Sequence, residues 1–412
     1  LPHCHAQADD PTETPVKLRL EAVRMGSRKG PLRDIGRLLE TTGGKLRCIP
    51  LVADGRNDDN AVISQITALF AQVHNAATVK MPANWKAEER YLGARLAVTS
   101  AFRSILQNDL VRRIVDPATY NWYGNQSGEG RFLSPGTKGR PVSAEFAHAV
   151  WRMGHAMVRP EYKFNMRSES HPLGTVIERS SLRRPREMPF DREWIAQWSL
   201  FFDMGKRKPQ PSMLIGPSYS SPLNQAFKDP KGTEGSGLAK RDLIRGARSG
   251  VSSLAHLRAR ILAAAPADYP NRKWLADAAR HRAIVERWLE DSSAQIGGGD
   301  GYGKLPKALA QALVNDPPLG LFILIEASQK PWSGRSLGPL GSLIVAETFF
   351  RAFEDNSSLD TLVPRPGFGA AEAVRTVFGP RPETMPALIR WLDRHMPEAD
   401  KRLPDGRPLP LI

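Results

Sequence analysis

Three short stretches concentrate side chains able to do chemistry. In Glu145-Phe-Ala-His-Ala-Val-Trp-Arg-Met-Gly-His-Ala-Met-Val-Arg-Pro160, helical spacing puts Phe146, Ala149, Val150, Met153 and Met157 on one apolar stripe. His148, Trp151, Arg152, His155 and Arg159 fall on the other side. Imidazoles bind metals and move protons, guanidinium groups hold anions, and an indole offers a flat face. A helix packed on the core along one side and on a large, anionic, planar ligand along the other reads this way. Gly154 leaves room beside His155 for such a ligand. An ordinary amphipathic helix with two incidental histidines also accounts for the stretch taken alone. The second stretch is Asp54-Gly-Arg-Asn-Asp-Asp-Asn60, just ahead of a helical pattern from Val62 to His74. Arg56 and Asp59 lie three residues apart and can project from one turn. A guanidinium there stabilises negative charge developing on a departing oxygen; a capping Asp with a surface Arg is the plain alternative. The third is Leu238-Ala-Lys-Arg-Asp-Leu-Ile-Arg-Gly-Ala-Arg-Ser-Gly250, with Asp242 and Arg245 at a spacing that also suits an exposed helical ion pair.

The first stretch resembles the proximal helix of the animal-type haem peroxidase superfamily, which includes myeloperoxidase and cyclooxygenase, and particularly its bacterial members. In that family an Arg-aromatic-Gly-His motif supplies the histidine that ligates haem iron. The resemblance implies that His155 is the proximal ligand and that Arg152 lies near a haem propionate; Met153 replaces the usual aromatic. The second stretch is similar to the family element that opens a helix ending in His-Asn, here His74-Asn75. By that likeness Arg56 is the distal arginine assisting peroxide O–O cleavage, and Asp59 takes the acidic position esterified to haem in mammalian members. Asp is one methylene shorter than the Glu that forms the ester there, and His74 reads as structural. The third resembles the Arg-Asp-Leu-x-Arg-Gly variant of bacterial relatives. It implies that Asp242 accepts the proximal imidazole N–H, fixing the tautomer and strengthening its donation to iron, and that Arg245 contacts a propionate. Arg56 precedes His155 by 99 residues and Asp242 follows it by 87, an order and scale like the family's. Phe201-Phe202 and Gly338-Pro-Leu-Gly-Ser-Leu-Ile-Val-Ala-Glu-Thr-Phe349, the latter fitting a helix beneath the haem pocket, extend the likeness from about Lys17 to Asp355.

The elements that must position these residues are mostly helices. A chain of 412 residues, 41% hydrophobic, can bury a sizeable core. One short strand is predicted at Lys17–Glu21, followed by a loop to Pro50, a helix from Val62 to His74, and a long helix over 85–115 stopped by Pro117. Residues 118–141 read as a Gly/Ser/Asn-rich loop ending in Ser134–Gly139, and 160–235 as mostly irregular around Trp194–Phe202. Helical patterns follow at 238–248, 251–264, 272–290, 303–314, 317–328, 339–354 and 384–396. The expected fold is mainly α: a single large helical haem-peroxidase domain over 17–400 with long irregular loops and few strands. An irregular lead-in (1–16) and a C-terminal tail (401–412) flank it.

Net charge is +15, but the basic residues are dispersed and no aromatic-interleaved basic motif accompanies them, so nucleic-acid binding is not expected. Only Cys4 and Cys48 are present, which could pair but make no disulfide framework. No apolar run approaches the ~20 residues of a transmembrane helix. The family's distal histidine and calcium loop lie well upstream of the arginine element, yet only 55 residues precede Arg56, and His3 and His5 do not resemble the distal motif. With no initiator Met, the chain is expected to be the C-terminal part of a longer peroxidase, one chain of a processed enzyme, or a degenerate copy. The resemblance implies haem b, and in the complete enzyme calcium, whose site is not recognisable here. It implies a peroxidase that reduces hydrogen peroxide and oxidises a small organic or halide donor through an oxoferryl intermediate, as in responses to oxidative stress. That activity is impaired here if the distal histidine is absent. A non-catalytic haem-binding module and a fatty-acid dioxygenase of the same superfamily are the alternatives. Secretion is usual in the family, though the sequence itself leaves the compartment unknown.

Overall fold

The computed structural model describes residues 16–25, 28–125, 142–205, 207–226, 237–296 and 306–412. Cys4, His3, His5, nearly all of the lead-in and the Ser134–Gly139 loop lie outside these. The fold is mainly α, as the sequence predicts, and the chain divides into two compact units. One comprises Leu1–Asp109, Pro160–Pro211 and Asn356–Ile412; the other comprises Leu110–Arg159 and Ser212–Asp355.

The first unit opens with two antiparallel hairpins where the sequence predicts a strand and a loop. Leu20–Met25 pairs with Arg28–Ile35, and Arg37–Thr42 with Lys45–Pro50. Gly43 and Gly44 turn the second hairpin at φ 58° and 76°, the left-handed pair that a two-residue turn needs. Charged residues such as Glu40, opposite Arg47, break the apolar alternation that would announce these strands. Asn60 caps the helix Ala61–Thr78 by accepting from the backbone N–H groups of Val62 and Ile63. The helix predicted over 85–115 is Ala87–Ile105, a π-helical stretch Leu106–Val111 and a last turn Arg112–Ile114. Leu69, Val73, Leu96, Phe164, Trp194 and Leu388 anchor this unit's core. Residues 401–412, predicted as a tail, return into that core: Leu403, Leu409 and Leu411 are buried, and the Leu411 carbonyl accepts from the Trp198 N–H at 2.8 Å.

The long helix ends at Ile114, ahead of Pro117 as predicted, but in the second unit Pro117 also opens a helix, Pro117–Asn125, where the sequence predicts a loop. Asp116 accepts from the Thr119 N–H at 3.1 Å, and proline is tolerated in the first turn because its missing donor would have no helical partner. The helices Leu238–Arg248, Leu254–Ala264, Lys307–Asn315, Leu319–Ser328 and Pro339–Glu354 follow the predicted pattern closely. The pattern at 272–290 divides at Asp277 into Arg272–Ala276 and Ala278–Ile296. Pro339–Glu354 is buried along most of its length, and Glu326 caps it, accepting from the N–H groups of Leu340 (2.8 Å) and Gly341 (3.1 Å). A Cβ on Gly338 would strike the Glu326 side chain, so this glycine is required for room. No single helix among the described residues is long and apolar enough to cross a membrane.

Candidate functional site

The stretch predicted as one helix over 145–160 is two pieces: an α-helix Ala144–His148, then a 3-10 helix Val150–Met157 after a break at Ala149. The change of pitch matters. With three residues per turn, side chains at i and i+3 eclipse, so Arg152 and His155 stand on one side of the rod. Phe146, Ala149, Val150 and Met153 are buried on the other, as the stripe requires. Trp151 departs from its predicted side: its ring stacks on Phe146 at 5.1 Å and packs against Phe349.

Asp242 is the buried residue of the helix Leu238–Arg248, at 8% exposure. That helix approaches the 144–157 segment closely at Gly246, where a Cβ would sit 3.4 Å from the His148 carbonyl oxygen. Asp242 Oδ2 lies 2.6 Å from His155 Nδ1. A carboxylate only accepts, so Nδ1 carries a proton, and in the neutral ring Nε2 is the lone-pair nitrogen. No hydrogen bond among the described residues engages Nε2, and the His155 side chain remains 30% exposed. Arg152 faces the other carboxylate oxygen, with Nη1 3.9 Å from Oδ1. Arg245 lies in that helix's last turn and is exposed to solvent.

Tyr219 completes the group, and sequence reasoning misses it. Its hydroxyl donates to Asp242 Oδ2 at 3.0 Å. Burial, and after it the Asp242 carboxylate, push the phenol well above its usual range, so it stays a donor. No periodicity marks Tyr219, which sits in irregular chain between motifs; only tertiary contact reveals it. A cavity of about 340 Å³ borders this group, lined by His148, Arg152, Tyr219 and Asp242 together with apolar residues such as Leu319 and Leu324.

In the other unit, Arg56 belongs to a 3-10 turn, Gly55–Asp58, and its side chain is 89% exposed. Its guanidinium Nε lies 3.0 Å from both oxygens of Asp54, and Arg56 holds the Asp54 carboxyl at about 2. Asp59 pairs with Arg183 at 3.0 Å. The buried acid of this stretch is Asp58, which pairs with Arg37 at 3.0 Å and accepts from Ser64 and the Ser181 N–H. His74 is buried against the Tyr91 ring, at 5.0 Å between centroids. Among the described residues, no three His, Cys, Asp or Glu side chains gather to hold a bare metal ion.

No curated protein sequence matches the chain. Among solved structures, peroxidase A from Dictyostelium discoideum is similar at a TM-score of 0.50 and 16% identity, over 90% of this chain and 66% of that one. Fatty acid alpha-dioxygenase from Oryza sativa aligns at a TM-score of 0.48 and 15% identity, over 93% of this chain and 60% of that one. The chain thus spans less than two thirds of either protein's length. The profile of the animal haem peroxidase family matches residues 33–270, a span containing Arg56, His155 and Asp242, and the chain belongs to that family.

Proposed function

We propose that this chain carries the proximal half of a haem site, in which His155 would hold the iron through Nε2 and Asp242 would orient it, within an enzyme that reduces hydrogen peroxide and oxidises a small organic or halide donor. The observation that carries the reading is the 2.6 Å contact between His155 Nδ1 and Asp242, which engages one ring nitrogen and leaves Nε2 as the one to hold a metal. The residues fit the group in two further respects. A Cβ on Gly154 would meet nothing within 4 Å among the described residues, so open space lies beside His155. The buried Nε of Arg152 has no hydrogen-bond partner among the described residues, which leaves a cationic donor for a propionate.

When bound, haem supplies an iron centre able to exchange electrons with peroxide and donor. The chain's own residues do the rest. Asp242 keeps the Nδ1 proton on His155 and prevents the ring from rotating; Arg152 offsets the carboxylate charge. Arg56 is the candidate for stabilising negative charge on a departing peroxide oxygen, and Asp59 and Arg245 are candidates for contacts with the haem edge. Calcium is assigned no residue.

Haem titration of the chain beside His155→Ala tests the reading. A Soret band typical of histidine-ligated ferric haem is expected in the parent and lost in the variant, and guaiacol turnover then separates a peroxidase from a haem carrier. The same spectrum from both proteins would remove His155 from the iron.

A further inference from the structure

Asp242 Oδ2 accepts two hydrogen bonds at once, from His155 Nδ1 at 2.6 Å and from the Tyr219 hydroxyl at 3.0 Å. The donors come from separate stretches of chain, and the two rings meet nearly edge-on, 6.2 Å apart at 72°. Among the described residues, Oδ1 faces Arg152, at 3.9 Å. We propose that Tyr219 is a positioning residue that tempers the His155–Asp242 pair, drawing part of the carboxylate's charge onto its own hydroxyl and so limiting how strongly His155 donates electrons to a metal.

The physical argument is one of competition. A carboxylate oxygen has a finite negative charge to share between its donors. Each charge-assisted hydrogen bond it accepts weakens the pull it exerts on the next. An unopposed aspartate draws the imidazole proton toward itself, makes the ring more imidazolate-like and strengthens its bond to iron. A phenol donating to the same oxygen opposes that pull. Tyr219 therefore acts in the direction opposite to Asp242, although both belong to one hydrogen-bonded chain. A purely structural tyrosine would have no such sign.

This inference rests on the reading of His155 as a haem ligand, so its test has one arm with haem and one without. In the haem-loaded protein, Tyr219→Phe is expected to raise the Fe–N(His) stretching frequency and lower the Fe(III)/Fe(II) potential. Asp242→Asn is expected to move both the other way. Tyr269→Phe, which removes a buried hydroxyl of the same unit that bonds Thr119 and not Asp242, should leave both unchanged. In the haem-free chain, Tyr219→Phe should move the His155 Hδ1 resonance downfield as its bond to Asp242 strengthens. A downfield Hδ1 shift in a chain that takes up no haem through His155 upholds the coupling and refutes the ligand reading. Haem uptake that depends on His155, with Hδ1 and the stretching frequency unmoved by Tyr219→Phe or moved as in Asp242→Asn, overturns the role of Tyr219.

Discussion

The Arg56 turn and the His155–Asp242 pair look equivalent as motifs, yet they are built differently. Arg56 is 89% exposed and held by Asp54, two residues away. His155 meets a partner 87 residues distant that is only 8% exposed, and Tyr219 joins them from a third stretch. Bringing such groups together costs chain entropy and desolvation, and the surrounding packing must offset that cost. An exposed pair between near neighbours incurs little of either. A motif residue in a convergent, half-buried group is therefore stronger ground for function than one in a local surface pair.

The largest contrast lies inside the Arg56 stretch itself. Asp58 is buried against Arg37, whose own charge is favoured overall: burial opposes it, but Asp34 and Asp58 more than compensate. Asp58→Ala should destabilise the chain near the lower end of the ~3–5 kcal/mol typical of breaking a buried ion pair, because Asp34 still holds one side of Arg37. Urea unfolding measures this, and an unchanged midpoint would mean that the stretch is all surface. Glu326 gives the opposite case, a buried acid that accepts, among the described residues, from the backbone N–H groups of Leu340 and Gly341, and burial pushes its carboxyl from 4.5 up to about 8. Between those values the folded state keeps a proton that the unfolded state has released. This contribution to stability is complete below about pH 4.5 and is lost as pH rises through about 8. The loss should be on the order of a few kcal/mol, and Glu326→Gln should flatten it. An identical pH slope in the variant would assign the effect to another group.

For the convergent group, Asp242→Asn should weaken haem affinity by about 10–100-fold, the usual cost of losing the carboxylate behind a ligating histidine. Equal affinity would show that Asp242 holds its helix and not the ligand.

The long helices from 238 onward are legible in the sequence because their apolar residues keep helical period; Leu238–Arg248 and Pro339–Glu354 match the predicted ranges at both ends. The hairpins at 20–50 are not, since Glu40 and Arg47 occupy positions where alternation would need apolar residues. Their clearest signal is the Gly43-Gly44 turn. The helix Pro117–Asn125 is missed for a related reason: the same proline that stops one helix also starts the next when a capping acid, Asp116, precedes it. At the candidate site, His155, Arg152 and Asp242 are visible as residue types at meaningful spacing. Tyr219 is invisible because its role depends on a hydrogen bond between segments, and the break at Ala149 leaves no mark in the apolar pattern.

The smallest effect on stability is expected where the sequence match draws the eye first. Arg56→Ala removes a solvated side chain whose partner is two residues away, so the urea midpoint and the haem affinity of the His155 centre should both stay as in the parent. Its consequence, if Arg56 serves peroxide, is confined to chemistry: the haem-loaded variant should respond to added peroxide more slowly in the Soret region. Asp54→Asn is the complementary change. Asn still caps the turn, so folding is preserved, but the guanidinium loses its anionic partner. Freed from Asp54, Arg56 should make the peroxide response faster than in the parent. A slower response in both variants would mean that the Asp54–Arg56 pair acts as a unit, and equal responses in all three would leave Arg56 a surface residue.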